Sequence, residues 1–490
     1  MRKRIFITLI GGPATAWSMP SLRQQGDPLA THRAMLVFIV AIFVCFSILG
    51  IFRRYSPVPF GYDYWDYLRF YSDLLDGKHL AWFAVFADHR PTLPRVLFWL
   101  DVQYFGGRFV FLTVANLVIL VGVTATFITY LRRLTSERPT QFAIGATVCI
   151  MAISWLHSEN LVNVVSGAQY FTALLLPLVA FYWLARSQER QYFFWLALIA
   201  GFASPWTHGN GILVLPLLAM LAISIGLERV WVAMLVIASV ATIALYFDLS
   251  RSDESPILGA YLSRLIDHPI AIARFAFGFL GNPFFYVVTY PLAYLEYLIA
   301  GAEQAARPIY GSGLNDYPTA FAIGFYIAQL AGVALILGAV VLAWRWFASG
   351  AHDATRGALL SFLFFIILTA VAGAAVRFYK VDRGFVEVQY ATPALFGWIT
   401  LIVLGGFSFN FRRAIGIFAC VAICLLPIQL LPVFGPWRAA VADRHERELQ
   451  AMQAILHGSN NPETLSILGA DPVVVHRLRG TKVSIFADEL

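Results

Sequence analysis

The chain has 490 residues, of which 59% are hydrophobic and 13% charged, where soluble domains carry about 25% charged residues. That balance excludes an ordinary soluble enzyme and describes an all-α polytopic membrane protein. Its net charge of +7 lies in short basic runs between apolar segments, a pattern of membrane topology that argues against a nucleic-acid partner.

Residues 1–33 open with Arg2, Lys3 and Arg4, then a short apolar run, IFITLIGGPATAW, too short and too rich in Gly and Pro to cross a bilayer. The stretch looks like a secretion signal. Arg23, His32 and Arg33 ahead of the first full span nevertheless favour an uncleaved cytoplasmic segment, or an over-extended start. About 20 apolar residues are needed per crossing. On that measure we read eleven spans, near 34–52, 109–131, 140–157, 169–185, 191–207, 211–227, 230–248, 320–344, 357–376, 390–408 and 414–433, with eleven to thirteen as the range. The connections after the even-numbered spans carry Arg132, Arg133, Arg138, Arg186, Arg190, Arg229, Arg345, Arg356, Arg412 and Arg413, so these ends are assigned to the cytoplasm. Residues 249–319 need an even number of crossings by this parity. Gly281, Pro283 and Pro291 point there to a broken or interfacial segment. Cys45, Cys149, Cys420 and Cys424 all fall in apolar segments and make neither a disulfide framework nor a metal motif.

The polar exception is the first outer loop, 53–108. Asp63, Asp66, Asp73, Asp76, Asp88 and Asp101 gather there among many aromatic residues. DYWDYLRFYSDLLDG reads as an amphipathic helix lying in the interface and closed by Gly77, and LPRVLFWLDVQYFGGR as a second one. Asp63 and Asp66, three residues apart, share a helix face. Such a pair can serve as a general base and its partner or hold a divalent cation; no cofactor is required by the sequence. Helix-start acids favoured by the dipole are the bland alternative. Asp88, His89 and Arg90 can orient a hydroxyl or hold a phosphate. Arg377, Lys380 and Arg383 lie outside by the span count, against the positive-inside rule, which marks them as cations kept for an anionic ligand, although interfacial snorkelling would also place them there. Glu159 and Asn160 at the outer end of the third span, and His208 and Asn210 at the outer end of the fifth, converge on the same face. The tail 436–490 turns polar, has helical periodicity over 437–457 and ends in a strand-like run; it is too short for a core of its own.

YDYWDYL, ADHRPTLPRVLF, WLHSENLVNVVSGAQY, THGNGILVLP and VEVQYATPALFGW together resemble a bacterial branch of the GT-C membrane glycosyltransferases. The resemblance covers most of the chain, from the loop to the tail, through short motifs. In this chain the double acid of that branch is reduced to Tyr62-Asp63, and the Glu of its second box becomes Asp88. It implies a GT-C-like domain over 34–435 in a bacterial inner membrane, with an active site facing outward. It further implies transfer of a sugar from a polyprenyl-phosphate-linked donor to a glycan, lipid or protein acceptor. Asp63 would be the base, with Asp66 in support, and Gln389 and Tyr390 would join the substrate-binding set. The other readings are a transporter or flippase of lipid-linked glycan and a structural partner in envelope assembly. Few charges lie in mid-span and no matching halves are visible, which disfavours the transporter.

Overall fold

The computed structural model describes residues 28–55, 62–86, 89–248, 258–300, 317–349, 353–377, 387–406, 409–434, 437–459, 461–479 and 481. The signal-like N-terminus and the strand-like end of the tail therefore lie outside the described residues. Among the described residues all regular elements are helical, apart from one isolated antiparallel bridge between Phe86 and His89. Pro28–Arg54 (α1) enters the loop, which holds Tyr62–Leu75 (α2) and Thr92–Phe105 (α3). Then follow Val110–Leu134 (α4), Arg138–Ala152 (α5), the single turn Ser158–Val162 (α6), Val164–Arg186 (α7), Tyr192–Ala203 (α8), Val214–Ser224 (α9) and Arg229–Asp248 (α10). The second half comprises Leu258–Asp267 (α11), Pro269–Ala300 (α12), Pro318–Ala348 (α13), Ala354–Arg377 (α14), Ala391–Gly405 (α15) and Phe411–Phe434 (α16). The tail forms Trp437–Leu456 (α17), Pro462–Leu468 (α18) and Pro472–Leu478 (α19).

Ten helices among the described residues are long and apolar enough to cross a membrane. Nine of them are spans read from the sequence. Two further sequence spans, 192–206 and 209–224, are shorter apolar helices of 15 and 16 residues; they nevertheless run from the end marked by Glu189, where Gln188 donates to Ile225 O at 2.8 Å, to the loop, where His208 stacks on His89. They fold as a hairpin in which Gly211 lies against the backbone of Ser204 and Pro205, where a Cβ would come within 2.2 Å. The tenth long helix corrects the expectation for 249–319. α12 is one unbroken helix of 32 residues with Pro283 and Pro291 inside it. Each proline removes one backbone donor, and packing offsets the loss. α12 and α13 run antiparallel in backbone contact: a Cβ on Gly281 would sit 1.8 Å from the Ala328 carbonyl oxygen, and one on Gly332 2.0 Å from that of Phe277. The glycines that look like helix breakers are the residues that let the two helices touch.

A second, smaller core caps the bundle. Trp65, Tyr67, Leu68 and Phe70 of α2 and Phe98 of α3 pack with Ala451, Ile455, Leu468, Val475 and Leu478 of the tail and with Val164, Val165 and Ala168 of α7. The tail, too short to fold alone, completes its core on the loop. Asn461 and Asp471 start α18 and α19 as N-caps, accepting from Glu463 N at 3.0 Å and Val473 N at 2.8 Å, with a proline next in each helix. Arg69 pairs with Asp471, and Arg477 reaches Asp76 at 3.2 Å and Asp73 at 3.6 Å.

Candidate functional site

The loop acids have different occupations. Asp101 is buried at the end of α3 and accepts from Phe109 N at 2.9 Å and Leu112 N at 3.2 Å, so it caps α4. Asp73 and Asp76 hold Lys78, at 2.7 and 3.7 Å, as well as Arg477. Asp66 lies 3.6 Å from Arg69 on the side of the tail, near Asp471. Asp63 lies near Glu159 and Arg377 at the ends of two other spans.

Asp63 stands in the first turn of α2, which is fixed across the bundle by Tyr64. The Tyr64 hydroxyl accepts from Val164 N at 3.1 Å and donates to Val162 O at 3.4 Å. This brings the Asp63 carboxylate near the side chain of Asn163, whose amide favours its charged form while its carbonyl oxygen accepts from Ser166 N at 3.2 Å. Burial, reinforced by the negative charges of Glu159 and Asp66, pushes the Asp63 carboxyl up to about 6; Asn163 and the Arg377 guanidinium pull in the opposite direction. Asp63 and Asp66 are thus one turn apart in different surroundings, and Asp66 is raised less, with Arg69 opposing its burial. Among the described residues no group of three or more His, Cys, Asp or Glu side chains is arranged to hold a metal ion.

Arg377, at the end of α14, is 3.4 Å from Glu387 and stacks over the Tyr390 ring at 5.4 Å. Gln389 Nε2 donates to the same Glu387 oxygen at 2.8 Å. The Tyr390 hydroxyl is buried beside this cation without a hydrogen-bond partner, the kind of orphaned polar atom that calls for an explanation. Lys380 and Arg383, expected to join Arg377, lie outside the described residues, as does Asp88.

His89 is buried and bonded through Nε2 to Gln169 Oε1 at 2.8 Å, and Gln169 Nε2 donates to the Tyr67 hydroxyl at 3.0 Å. With the amide so oriented, His89 Nε2 carries the proton. Its ring stacks on His208 in the turn of the α8–α9 hairpin, centroids 4.3 Å apart and 21° from parallel. Burial foremost, and then the neighbouring His208, hold His89 well below its ordinary value, so this pair is neutral. Asn210, in the same turn, donates to Thr369 Oγ1 at 2.9 Å. Arg90 donates to Phe83 O and lies 5.9 Å from the Tyr246 ring centre; its Nε and Nη2 are buried with no hydrogen-bond partner.

Asn160 is a strut. Its amide protons go to Gln389 O at 3.1 Å and Thr392 Oγ1 at 2.7 Å, and its carbonyl accepts from Ser166 Oγ at 2.8 Å. His157 Nδ1 meets the same Thr392 hydroxyl at 2.9 Å, and His157 Nε2 faces Met151 O at 3.2 Å. This fully buried network locks α6 and α7 to the start of α15 and leaves Asn160 no proton for a ligand. It fixes the wall on which Glu159 and Asn163 stand. Sequence reasoning missed Asn163, Gln169, Glu387 and Thr392. All four lie in or beside the motifs singled out above, but as uncharged or paired residues they gave no signal of their own.

The site thus combines a half-buried carboxylate with a raised pKa, a cation beside an unpartnered hydroxyl, and a neutral histidine stack, all at the loop end of the bundle. It can take a proton at Asp63 and accept an anionic group near Arg377. Scanned against protein-family models, curated proteins and solved structures, the chain matches none of them.

Proposed function

We propose that the protein is a membrane glycosyltransferase that moves a sugar from a polyprenyl-phosphate-linked donor to an acceptor at the membrane face carrying the loop, with Asp63 as general base. The observation that carries the reading is the environment of Asp63. At a pKa of about 6, the carboxylate is about nine-tenths ionised at pH 7 and still basic enough to take a proton in the transition state. In this reading Asp63 removes the acceptor's hydroxyl proton as that oxygen attacks the anomeric carbon from the face opposite the phosphate. The bond from the anomeric carbon to the phosphate oxygen breaks, its electrons leave with polyprenyl phosphate, and the sugar's configuration inverts. Arg377, over the Tyr390 ring and close enough to Asp63 to act on its charge, offsets the charge that grows on the departing phosphate. Gln389 and Glu387 fix the cation in place. The neutral His89–His208 stack and Asn210 form the wall nearest the α8–α9 turn, where sugar hydroxyls need donors and acceptors without net charge. The reading places the protein in a bacterial inner membrane with this face outward.

The test uses membranes from a deletion strain carrying either wild type or Asp63→Asn, incubated with labelled polyprenyl-phosphate sugars. Release of polyprenyl phosphate with wild type, reduced about 10²–10⁴-fold by Asp63→Asn, is the expected result for loss of a general base. The alternative, a transporter or flippase of lipid-linked glycan, draws on the short α8–α9 hairpin, a kind of broken element that transporters use. It predicts no release of polyprenyl phosphate from any donor.

A further inference from the structure

At the end of the bundle away from the loop, α1, α4 and α5 enclose a cavity of about 570 Å³. Arg33 of α1, Arg132 in the last turn of α4 and Arg138 at the start of α5 line it, one arginine from each helix, and no carboxylate does. Apart from Gln141, the rest of the lining is apolar, with Val37, Val40, Ile128, Leu131 and Phe142 along the walls. Among the described residues these three arginines make no ion pair. The contrast with their neighbours is direct: Arg133 and Arg186, at the same end, are both neutralised by Glu189, at 2.6 and 2.8 Å. The lining runs from Arg33 to Val40 on α1 and from Arg138 to Cys149 on α5, about 10 and 16 Å along the helix axes. That is about the depth of one leaflet. Val37 and Phe142 keep 56% and 37% of their surface open, so the side of the cavity is apolar and accessible from the bilayer.

We propose that this cavity binds one anionic phospholipid from the leaflet opposite the loop. Its phosphate sits among Arg33, Arg132 and Arg138, and an acyl chain lies along Val40, Ile128 and Phe142. Basic pockets between transmembrane helices select anionic headgroups in this way. The site is independent of the transferase reading and lies at the other end of the molecule from Asp63. Arginines that only set topology would show no preference among lipids.

The experiment is native mass spectrometry of the detergent-purified full chain titrated with phosphatidylglycerol, with phosphatidylcholine, or with inorganic phosphate as competitor. Wild type should retain one phosphatidylglycerol at least 10-fold more tightly than phosphatidylcholine, and phosphate at equal concentration should not displace it. Each lining arginine changed to Gln should weaken phosphatidylglycerol about fivefold, and Arg33→Gln/Arg132→Gln/Arg138→Gln together about 100-fold. Arg133→Gln, the charge-matched control outside the cavity, should stay within twofold. Equal affinity for the two lipids in wild type overturns the proposal without recourse to any variant. So does displacement by inorganic phosphate, or an effect of Arg133→Gln as large as that of the lining arginines.

Discussion

Changing Asp63 to Asn should make the protein more stable at neutral pH. A carboxyl whose pKa is higher in the folded than in the unfolded chain binds its proton more tightly when folded. It therefore costs stability above both pKa values and nothing below them. For Asp63 the folded value is about 6 and the unfolded value about 3.9. The gap of about 2 units corresponds to about 3 kcal/mol lost at pH 7.5. The cost fades as pH falls from 6 to 4. Asn has the same shape and carries no charge to desolvate. The assay is thermal melting of detergent-purified wild type and Asp63→Asn between pH 4.5 and 7.5. The expected result is a Tm higher by on the order of a few °C for the variant at pH 7.5, with the gap closing towards pH 4.5. An equal or lower Tm for the variant at pH 7.5, or a gap that does not change with pH, would show that Asp63 is not held in a site that penalises its charge. Stability gained where activity is lost is the usual mark of a residue kept for chemistry.

Arg377→Gln removes a cation that lowers the Asp63 pKa, so the acid limb of the transfer rate should move to higher pH and the KM for donor should rise; an unmoved limb would separate the two residues. Thr392→Val takes the shared hydroxyl from His157 and Asn160 and leaves buried donors unmet, at about 1–3 kcal/mol for each group, so its Tm should fall while its KM for donor stays near wild type. For the tail, apolar burial should outweigh charge. Leu478→Asp loses about 1.5–3 kcal/mol of burial in addition to the cost of a buried carboxylate. Arg69→Ala breaks only the exposed pair with Asp471, worth about 0–1 kcal/mol. Limited proteolysis should therefore release residues after Pro436 from Leu478→Asp and leave Arg69→Ala nearly intact.

The helices were legible where one physical signal dominates. Apolar runs gave nine of the ten long helices. In the loop, the periodicity of DYWDYLRFYSDLL gave α2, and Gly77 follows it at φ +77 as the residue that ends the turn. The failure has a physical cause. Proline and glycine in α12 look like interruptions until α13 is seen against them. The candidate site was half legible. Asp63, Arg377 and the two histidines stood out by charge or titration range. Their uncharged partners Asn163 and Gln169 lie about 100 and 80 residues away from them in sequence, and nothing local announces such pairings. Asn160 was read as a ligand for substrate because polar residues near a membrane face are rare; its bonds show that rarity also serves structure.

The most direct test of the account is a comparison of envelope glycolipids and polysaccharides by mass spectrometry. The strains are a deletion, a wild-type rescue and an Asp63→Asn rescue at equal membrane levels. The account predicts a sugar mass missing from the glycan in the deletion, restored by wild type and still missing with Asp63→Asn, while the polyprenyl-phosphate monosaccharide accumulates. Full rescue by Asp63→Asn would contradict it, and so would accumulation of a completed lipid-linked glycan in the deletion.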